Sequence, residues 1–454
     1  MRQYKNKIVK LLAITLMLPL IGLGCKGSGT IKQEELQRVT LEYWRVFDEP
    51  DDFSDIITEF RKSYPHININ VRKFRLDEYE NALLRALAEG RGPDIVSIHN
   101  TWVNQYKNVI TPMPESITLP TTVTDGRQQT IMLRSQASPS LRDIRNNFVD
   151  VVVDDVIRDG NVYGLPLSVD TLALYYNKAM LTRENIPLPA ATWNDFKEHV
   201  KLLTIQDKNG NFVQSGAALG ASRNINRAPD IVSILMMQNG TEMVNKSGRA
   251  SFNARPSSIT DRSILPGRDA LQFYTDFASP AKEVYTWNET MPEALDAFTA
   301  QKSAYFFGYS YHMPLIRSLA PGLDFGIAPL PQIAGTQASV NFANYWVESV
   351  TAQSKHQNEA WAFVQFAASQ NQVGSFLKRA DKPTALRTLI AAQRESGDLS
   401  VFANQILTAQ SWYRGTNAAA SEEAFRVMID QVVNGEYTAE KAVTIAAQKI
   451  NETL

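Results

Sequence analysis

The segments Val39-Thr40-Leu41-Glu42-Tyr43-Trp44, Ile67-Asn68-Ile69-Asn70-Val71 and Asp94-Ile95-Val96-Ser97-Ile98 decide the fold. They are short and rich in β-branched or aromatic residues, and the first two alternate in the period of a strand. Between them, Phe53, Ile56, Ile57 and Phe60 recur at helical spacing until Pro65 breaks the pattern. Tyr79 to Ala88 reads as a second helix, closed by Gly90 and Gly92. Strands alternating with helices of this length make βαβ units and a parallel sheet. Ligands of such sheets collect outside the carboxyl ends of the strands. That rule places Trp44, Arg45, Asn100, Thr101 and Trp102 at the rim of a cleft.

Further along, Pro112 to Pro139 is rich in proline and threonine with little periodicity, and reads as an irregular surface connection. Asp150 to Asp159 is acidic, β-branched and of undefined type. Val162 to Lys178 reads as a strand interrupted at Pro166 and a polar patch, then resumed, the character of a crossing between two lobes. Thr192 caps a helix with Asp195 completing a capping box, and Phe196, Val200 and Leu203 form its buried stripe. Asp207-Lys208-Asn209-Gly210-Asn211 lacks the glycine position and terminal glutamate of a calcium loop. Its Asn-Gly pair instead fits a hairpin turn. Ser303 to Gly308 is a buried strand, Phe325 to Pro331 a further strand-like crossing, and the chain after Ser354 is mainly helical, with Trp361, Val364 and Ala368 facing inward.

The chain opens with Arg2, Lys5, Lys7 and Lys10, no acid, and an apolar run from Ile8 to Gly24. That is the pattern of a secretory signal. Cys25, the only cysteine of 454 residues, follows directly. A single thiol at the cleavage point resembles the bacterial lipoprotein signal, although Gly22 stands where that signal prefers leucine. The resemblance implies residues 1–24 as signal peptide, a lipid on Cys25 and a linker over 25–38; a non-lipidated signal is the alternative. Gly22, Gly24 and Gly27 satisfy a dinucleotide-binding spacing, but no strand precedes them and no helix follows. The chain has 46 basic and 47 acidic residues; without the leader's four bases, 42 stand against 47, a net charge of −5. This balance argues against nucleic acid as a partner. No later apolar run approaches the ~18 residues of a spanning helix, and with one cysteine no internal disulfide forms.

The order of motifs resembles the extracytoplasmic solute-binding proteins that serve ABC importers for sugars, the group containing maltose-binding protein. The residues that carry it are Glu89-Gly90-Arg91-Gly92-Pro93-Asp94-Ile95-Val96, Tyr163-Gly164-Leu165-Pro166 and Leu174-Tyr175-Tyr176-Asn177-Lys178. Thr192-Trp193-Asn194-Asp195-Phe196, Ala297-Phe298 with Lys302-Ser303-Ala304, Ser354-Lys355 with Ala360-Trp361-Ala362-Phe363, and Gly435-Glu436-Tyr437-Thr438 with Lys441-Ala442 complete it. The resemblance implies an α/β, two-lobed, type II periplasmic-binding-protein-like fold, each lobe a mainly parallel sheet flanked by helices. It implies a first lobe of 39–166 and 331–369, a second of 167–330 and 370–454, and hinges near 165–174 and 325–331. Function follows as capture of a sugar or oligosaccharide for an ABC permease by a lipid-anchored, extracytoplasmic monomer, with no cofactor and no metal.

A sugar site combines aromatic platforms for C–H faces with polar edges for hydroxyls. Trp193 and Trp361 lie on helix stripes and read as core, whereas Trp44, Trp102, Trp287, Trp346 and Trp412 sit where elements end. The resemblance adds Tyr309 and Tyr311, which follow Gly308, and Trp412 within Ser411-Trp412-Tyr413-Arg414. Asp170 in the hinge is either a hydroxyl acceptor or a turn carboxylate satisfied by backbone amides. Arg45, Arg317 and Arg414 mean an acidic or phosphorylated solute, or are surface residues. The competing classes are a secreted glycan-active enzyme, which needs two carboxylates at a set separation, and a surface adhesin or chemoreceptor ligand. Asp48, Glu49, Asp51 and Asp52 read as a solvated loop before a helix N-terminus. The five histidines show no metal-ligand spacing, and no G-x-S-x-G occurs.

Overall fold

Strand Val39–Val46 pairs in parallel with Ile67–Phe74 on one side and Ile95–His99 on the other, as the alternation requires. Helices Ser54–Ser63 and Leu76–Ala88 connect them and bury Ile56, Phe60, Tyr79 and Leu83 against the sheet. The distant strand Trp346–Thr351 is inserted antiparallel between Ile95–His99 and Ile110–Thr111, making a five-stranded sheet. The computed structural model describes residue 31 and residues 36–125, 128–336 and 338–454. The leader and Cys25 lie outside the described residues.

A second five-stranded sheet is built from Ile205–Gln206, Phe212–Ala217, Ser303–Gly308, Ala173–Asn177 and Phe325–Ala328, in that order. Ala173–Asn177 runs antiparallel to both neighbours, so three of the five strands share a direction here. In the first sheet four of the five do. The Asn209-Gly210 turn joins Ile205–Gln206 to Phe212–Ala217, and Asp207 accepts the amides of Asn209 and Asn211. Thr192 and Asp195 form the capping box of helix Trp193–Leu203.

Each sheet has its own hydrophobic core. One gathers buried side chains from residues 39–169 and 343–390, with Ile406 and Ala409. The other draws on 172–342 and 399–450, with Trp412 and Tyr413 among them. Between the cores the chain passes three times, on Asp170–Thr171, Asn341–Asn344 and Ala409–Gln410, which form a three-stranded sheet.

Two expectations need correction. The second passage is Asn341–Asn344 rather than 325–331: Phe325–Ala328 pairs with Ala173–Asn177 inside the second sheet. Residues 331–342 therefore stay with the second lobe. Residues 370–390 belong to the first, because helix Gln370–Ala380 buries Val373, Phe376 and Leu377 there and Phe376 packs on Phe53 at 5.2 Å. The third passage, Ala409–Gln410, was not foreseen.

The stretch expected to be irregular is a hairpin of Ser116–Asp125 and Gln128–Ala137. Its threonines and the buried Ile117 and Leu119 suit a two-stranded ribbon. Ile31, in the segment read as linker, donates its amide to the Ile131 carbonyl at 2.7 Å. Asp150–Val156, left undefined by its composition, is a helix.

Gly164 lies where the first lobe leads into the first passage. A methyl group there would stand 2.5 Å from both Val347 Cγ1 and Ser349 Oγ and 2.8 Å from the Glu348 carbonyl. Gly164→Ala should therefore destabilise the protein by about 1–3 kcal/mol, the range for overpacking a filled site. Urea denaturation of the two proteins measures it.

Candidate functional site

The strand ends that face the second lobe carry the site: Arg45, Asn100, Thr101 and Trp102 line it as the sequence places them, and of that set Trp44 alone does not. Val39–Val46 continues two residues beyond Trp44, so the rim falls at Phe47 and Asp48. Trp44 packs against Phe74 at 4.6 Å and beneath Arg72, and does not line the cleft.

Between the lobes lies a cavity of about 250 Å³. The first lobe contributes Phe47, Trp102, Trp346 and Lys382, the second Arg227, Tyr311 and Glu422, and the passages Asp170 and Asn344. A side chamber of about 50 Å³ shares His99, Asn344, Ala418 and Glu422 with it and adds Asn100, Asp230, Ser233 and Trp412. Trp102 and Trp346 meet edge to face at 5.4 Å and 75°, giving the first lobe two walls at a steep angle. Trp102 is backed by Tyr106, stacked at 5.8 Å.

The residues singled out by sequence divide into three groups. Trp102, Asp170, Tyr311 and Trp346 line the main cavity, and Asn100 and Trp412 line the side chamber. Trp44, Trp287 and Tyr309 line neither. Trp287 is fully buried in the second core, where its indole N–H donates to Asn224 Oδ1 at 3.0 Å. Tyr309 is also fully buried, donates its hydroxyl to Asp230 at 2.7 Å and stacks behind Tyr311 at 6.0 Å. It supports the platform rather than forming it. Trp412 is mostly core, bonded to Ser233 Oγ at 3.0 Å and packed on Phe425. Cys25 lies outside the described residues.

Beneath the rim is a buried ionic network that sequence reasoning misread as a solvated loop. Arg45 pairs with Asp48 and, at 3.3 Å, with Glu348, while Lys382 also pairs with Asp48. Glu348 accepts from the Tyr43 hydroxyl at 2.6 Å and from the Ser97 hydroxyl at 3.2 Å. Burial alone would raise the Asp48 carboxyl, but Arg45 and Lys382 hold it below its usual range. Burial raises the Glu348 carboxyl, with only Arg45 and hydrogen bonds opposing. Glu49, Asp51 and Asp52, by contrast, surround the exposed start of the short helix Pro50–Phe53.

His99 bonds Thr101 through Nδ1 at 2.8 Å and Asn344 Oδ1 through Nε2 at 3.1 Å. Burial lowers its pKa, so the ring is neutral and Nε2 carries the proton. Asn100 donates to Asp155 at 3.0 Å, and its own Oδ1 is a buried acceptor with no protein partner. Asp155 further accepts from Ser411 at 2.6 Å, Tyr345 at 2.9 Å and Arg414 at 3.1 Å. Arg317 pairs with Asp398. The three arginines that left open an acidic solute thus all hold carboxylates of the protein. Among the described residues no group of three or more His, Cys, Asp or Glu is placed to hold a metal ion.

Two lobes, three passages and a cleft lined from both sides define a two-lobed fold with its candidate site between the lobes. Residues 48–373 match the family described as bacterial extracellular solute-binding protein, and the chain belongs to that family. It is 21% identical over 390 residues to the galactooligosaccharide-binding protein of Bacillus subtilis, covering 86% of this chain and 82% of the relative. The multiple sugar-binding protein of Streptococcus mutans is 20% identical over 390 residues, 85% of this chain and 84% of its own. The fold is similar to the cyclic α-maltosyl-1,6-maltose binding protein of Arthrobacter globiformis, with TM-score 0.69, 18% identity and coverage of 91% and 98%. A Thermotoga lettingae solute-binding protein bound with α-D-tagatose gives TM-score 0.67, 19% identity and coverage of 91% and 99%. The two-lobed, type II architecture is that of these proteins.

Asp170 is bonded as the turn-carboxylate reading requires and also borders the cavity. It lines the cavity, yet its Oδ2 accepts the Ser310 amide at 2.9 Å and hydroxyl at 2.7 Å, and its Oδ1 the Thr171 amide at 2.8 Å. Burial nevertheless pushes its carboxyl from 3.8 up to about 6 against those bonds. A raised carboxyl favours folding while protonated in the native state, and that contribution is lost as pH rises through the native value. Relative to Asp170→Asn, the wild type should therefore lose stability as pH rises from about 4 to about 6 and then level off. Denaturant titrations of both proteins across this window check the sign.

Proposed function

We propose that this protein captures a sugar or oligosaccharide between its lobes outside the cytoplasmic membrane and delivers it to the membrane subunits of an ABC importer. The observation that carries this reading is the lining of the cleft. Half-buried aromatic rings from both lobes, Trp102 and Trp346 opposite Tyr311, stand beside amides and carboxylates. Rings take the C–H faces of a sugar, and the polar groups take its hydroxyls. Asn100, which lines the side chamber, keeps a buried Oδ1 with no protein partner, one more polar group at the edge of the site. The names of the relatives, which bind galactooligosaccharides and multiple sugars, support the same class.

A neutral solute fits better than a phosphorylated one. Arg45, Lys382 and Arg414 already hold carboxylates, and Arg227 faces Asp230 at 3.4 Å. An anion would have to compete with those partners. The same pairing supports a binding protein over a glycosidase, because Asp48 and Glu348 share Arg45 and Asp170 is tied to Ser310. Binding and closure are then one equilibrium, since a solute that touches both lobes favours the closed form. The protein acts as a monomer held to the outer face of the membrane by a lipid on Cys25. Among the described residues no helix is long and apolar enough to cross a membrane.

A panel of neutral and phosphorylated sugars, screened by thermal shift, tests the ligand class. A cognate sugar at a hundred times its Kd should add about 2.7 kcal/mol of stability, and a response confined to phosphorylated members would reverse the charge argument. Trp346→Ala should weaken calorimetric affinity for the cognate sugar by about 1–3 kcal/mol, the range of a buried aromatic anchor; unchanged affinity would remove Trp346 from the site. In cells, Cys25→Ala should leave the protein without its lipid and free of the membrane while sugar affinity is retained. Membrane fractionation and calorimetry read the two halves.

A further inference from the structure

Phe47 stands at the centre of an unusual turn. Its φ is 70°, and the Asp48 amide donates back to the Val46 carbonyl at 2.9 Å, a bond across a single residue. That is the left-handed γ-turn, rare and strained, and a bulky residue there is an outlier. Such conformations persist only where their surroundings over-determine them, and they concentrate at functional sites. Here both flanks are pinned, since Arg45 and Asp48 pair with each other and with Glu348 and Lys382 in the buried network.

The turn projects an apolar ring into the cleft. Phe47 is 37% exposed and lines the main cavity. It lies nearly parallel to Tyr311 of the opposite lobe, with centroids 5.6 Å apart and planes at 15°, and meets Trp346 edge-on at 6.0 Å. The other rings stacked with Tyr311, Tyr309 and His312, come from its own lobe. Phe47 is therefore the ring that approaches Tyr311 from across the cleft. At 5.6 Å between centroids the pair leaves no room for a sugar ring between them.

Resting on the reading of the cleft as a sugar site, we propose that Phe47 is an internal stand-in for the solute. It occupies the stacking face of Tyr311 and latches the lobes together. A solute binds by displacing it, so the site selects a ring whose apolar face can replace a phenyl group. Solutes lacking such a face are rejected because they cannot repay the lost stack.

The test uses the full-length chain with Cys25→Ala and spin labels at Lys62→Cys and Leu202→Cys, exposed positions on helices Ser54–Ser63 and Trp193–Leu203 of the two lobes. Phe47→Gly removes the ring and keeps the turn, since glycine accepts a positive φ. Without sugar, pulsed electron–electron distance measurements should shift to longer separations in Phe47→Gly, whereas Phe47→Tyr should match the parent. Superimposable distributions for Phe47→Gly and the parent would overturn the latch. For any sugar that binds, Phe47→Gly should tighten affinity roughly two- to tenfold, the range one aromatic pair supports. Equal or weaker affinity would make Phe47 a contact of the solute or a bystander instead of its competitor. If no sugar of the panel binds either protein, the sugar reading fails while the distance comparison still decides the latch.

Discussion

One buried amide ties together the passages of the chain between the lobes. Gln405 donates through Nε2 to Thr171 Oγ1 and to the Leu172 carbonyl, both at 3.0 Å, and accepts the Leu330 amide at 2.7 Å. It thus joins the first passage, the approach to the second and the helix that leads into the third. Leu172 adds a backbone bond to Phe342 at 3.0 Å, and Asn341 donates to Thr408 at 2.8 Å. A hinge made this way is held by directional bonds as well as by the apolar packing of Leu172, Phe342, Ala343 and Ala409. Such bonds keep the three strands in register while leaving the two cores separate, so a change of angle between lobes need not disturb either core.

The charges are arranged to the same end. Arg45, Asp48, Glu348 and Lys382 are closed within the first lobe, and Arg227 with Asp230 within the second. A buried charge stripped of its partner is costly. Because each network is complete on its own side, parting the lobes strands no ion of either. Across the lobes the pairing of Arg414 with Asp155 lies beside the third passage, where displacement on opening is smallest. Elsewhere across the cleft, the Phe47–Tyr311 stack and the Ala418 amide donating to Gln105 Oε1 at 3.4 Å are contacts that water can replace without leaving an unpaired charge.

Much of this architecture was legible in the sequence because it is local. The alternation in Val39–Val46 and Ile67–Phe74, the capping box at Thr192 and the Asn209-Gly210 turn depend on neighbouring residues, and each forms. What was misassigned depends on long-range packing. Nothing between Ser369 and Gln370 announces which core the next helix joins; Phe376 settles that by meeting Phe53, more than three hundred residues earlier. The same holds for Phe325–Ala328, whose apolar alternation suits a lobe strand and a crossing strand equally well. The hairpin of 116–137 does not stand out in the sequence because proline and threonine suit an irregular connection as well as a ribbon. An isolated ribbon has only one neighbour per strand, and Pro120 is tolerated on such an edge.

The site was read less well than the fold, for a geometric reason. Position at the end of an element places a tryptophan near a lobe's boundary but does not say which boundary. Trp102 follows strand Ile95–His99 and Trp346 opens its antiparallel partner at the cleft edge, whereas Trp287, beyond helix Pro266–Asp276, is buried in the second core. For Trp44 the error was two residues of strand length, and on a pleated strand the side chains of adjacent residues leave on opposite faces. That small shift moves the rim from a tryptophan that packs on Phe74 to Phe47 and Asp48. Neither has a pattern that marks it in advance. Phe47 is conspicuous only through its backbone, since a phenylalanine at positive φ is bearable only because buried ion pairs hold both flanks. The cleft's most specific feature therefore arises where local preference is overridden, and a reading built on local preference passes over it.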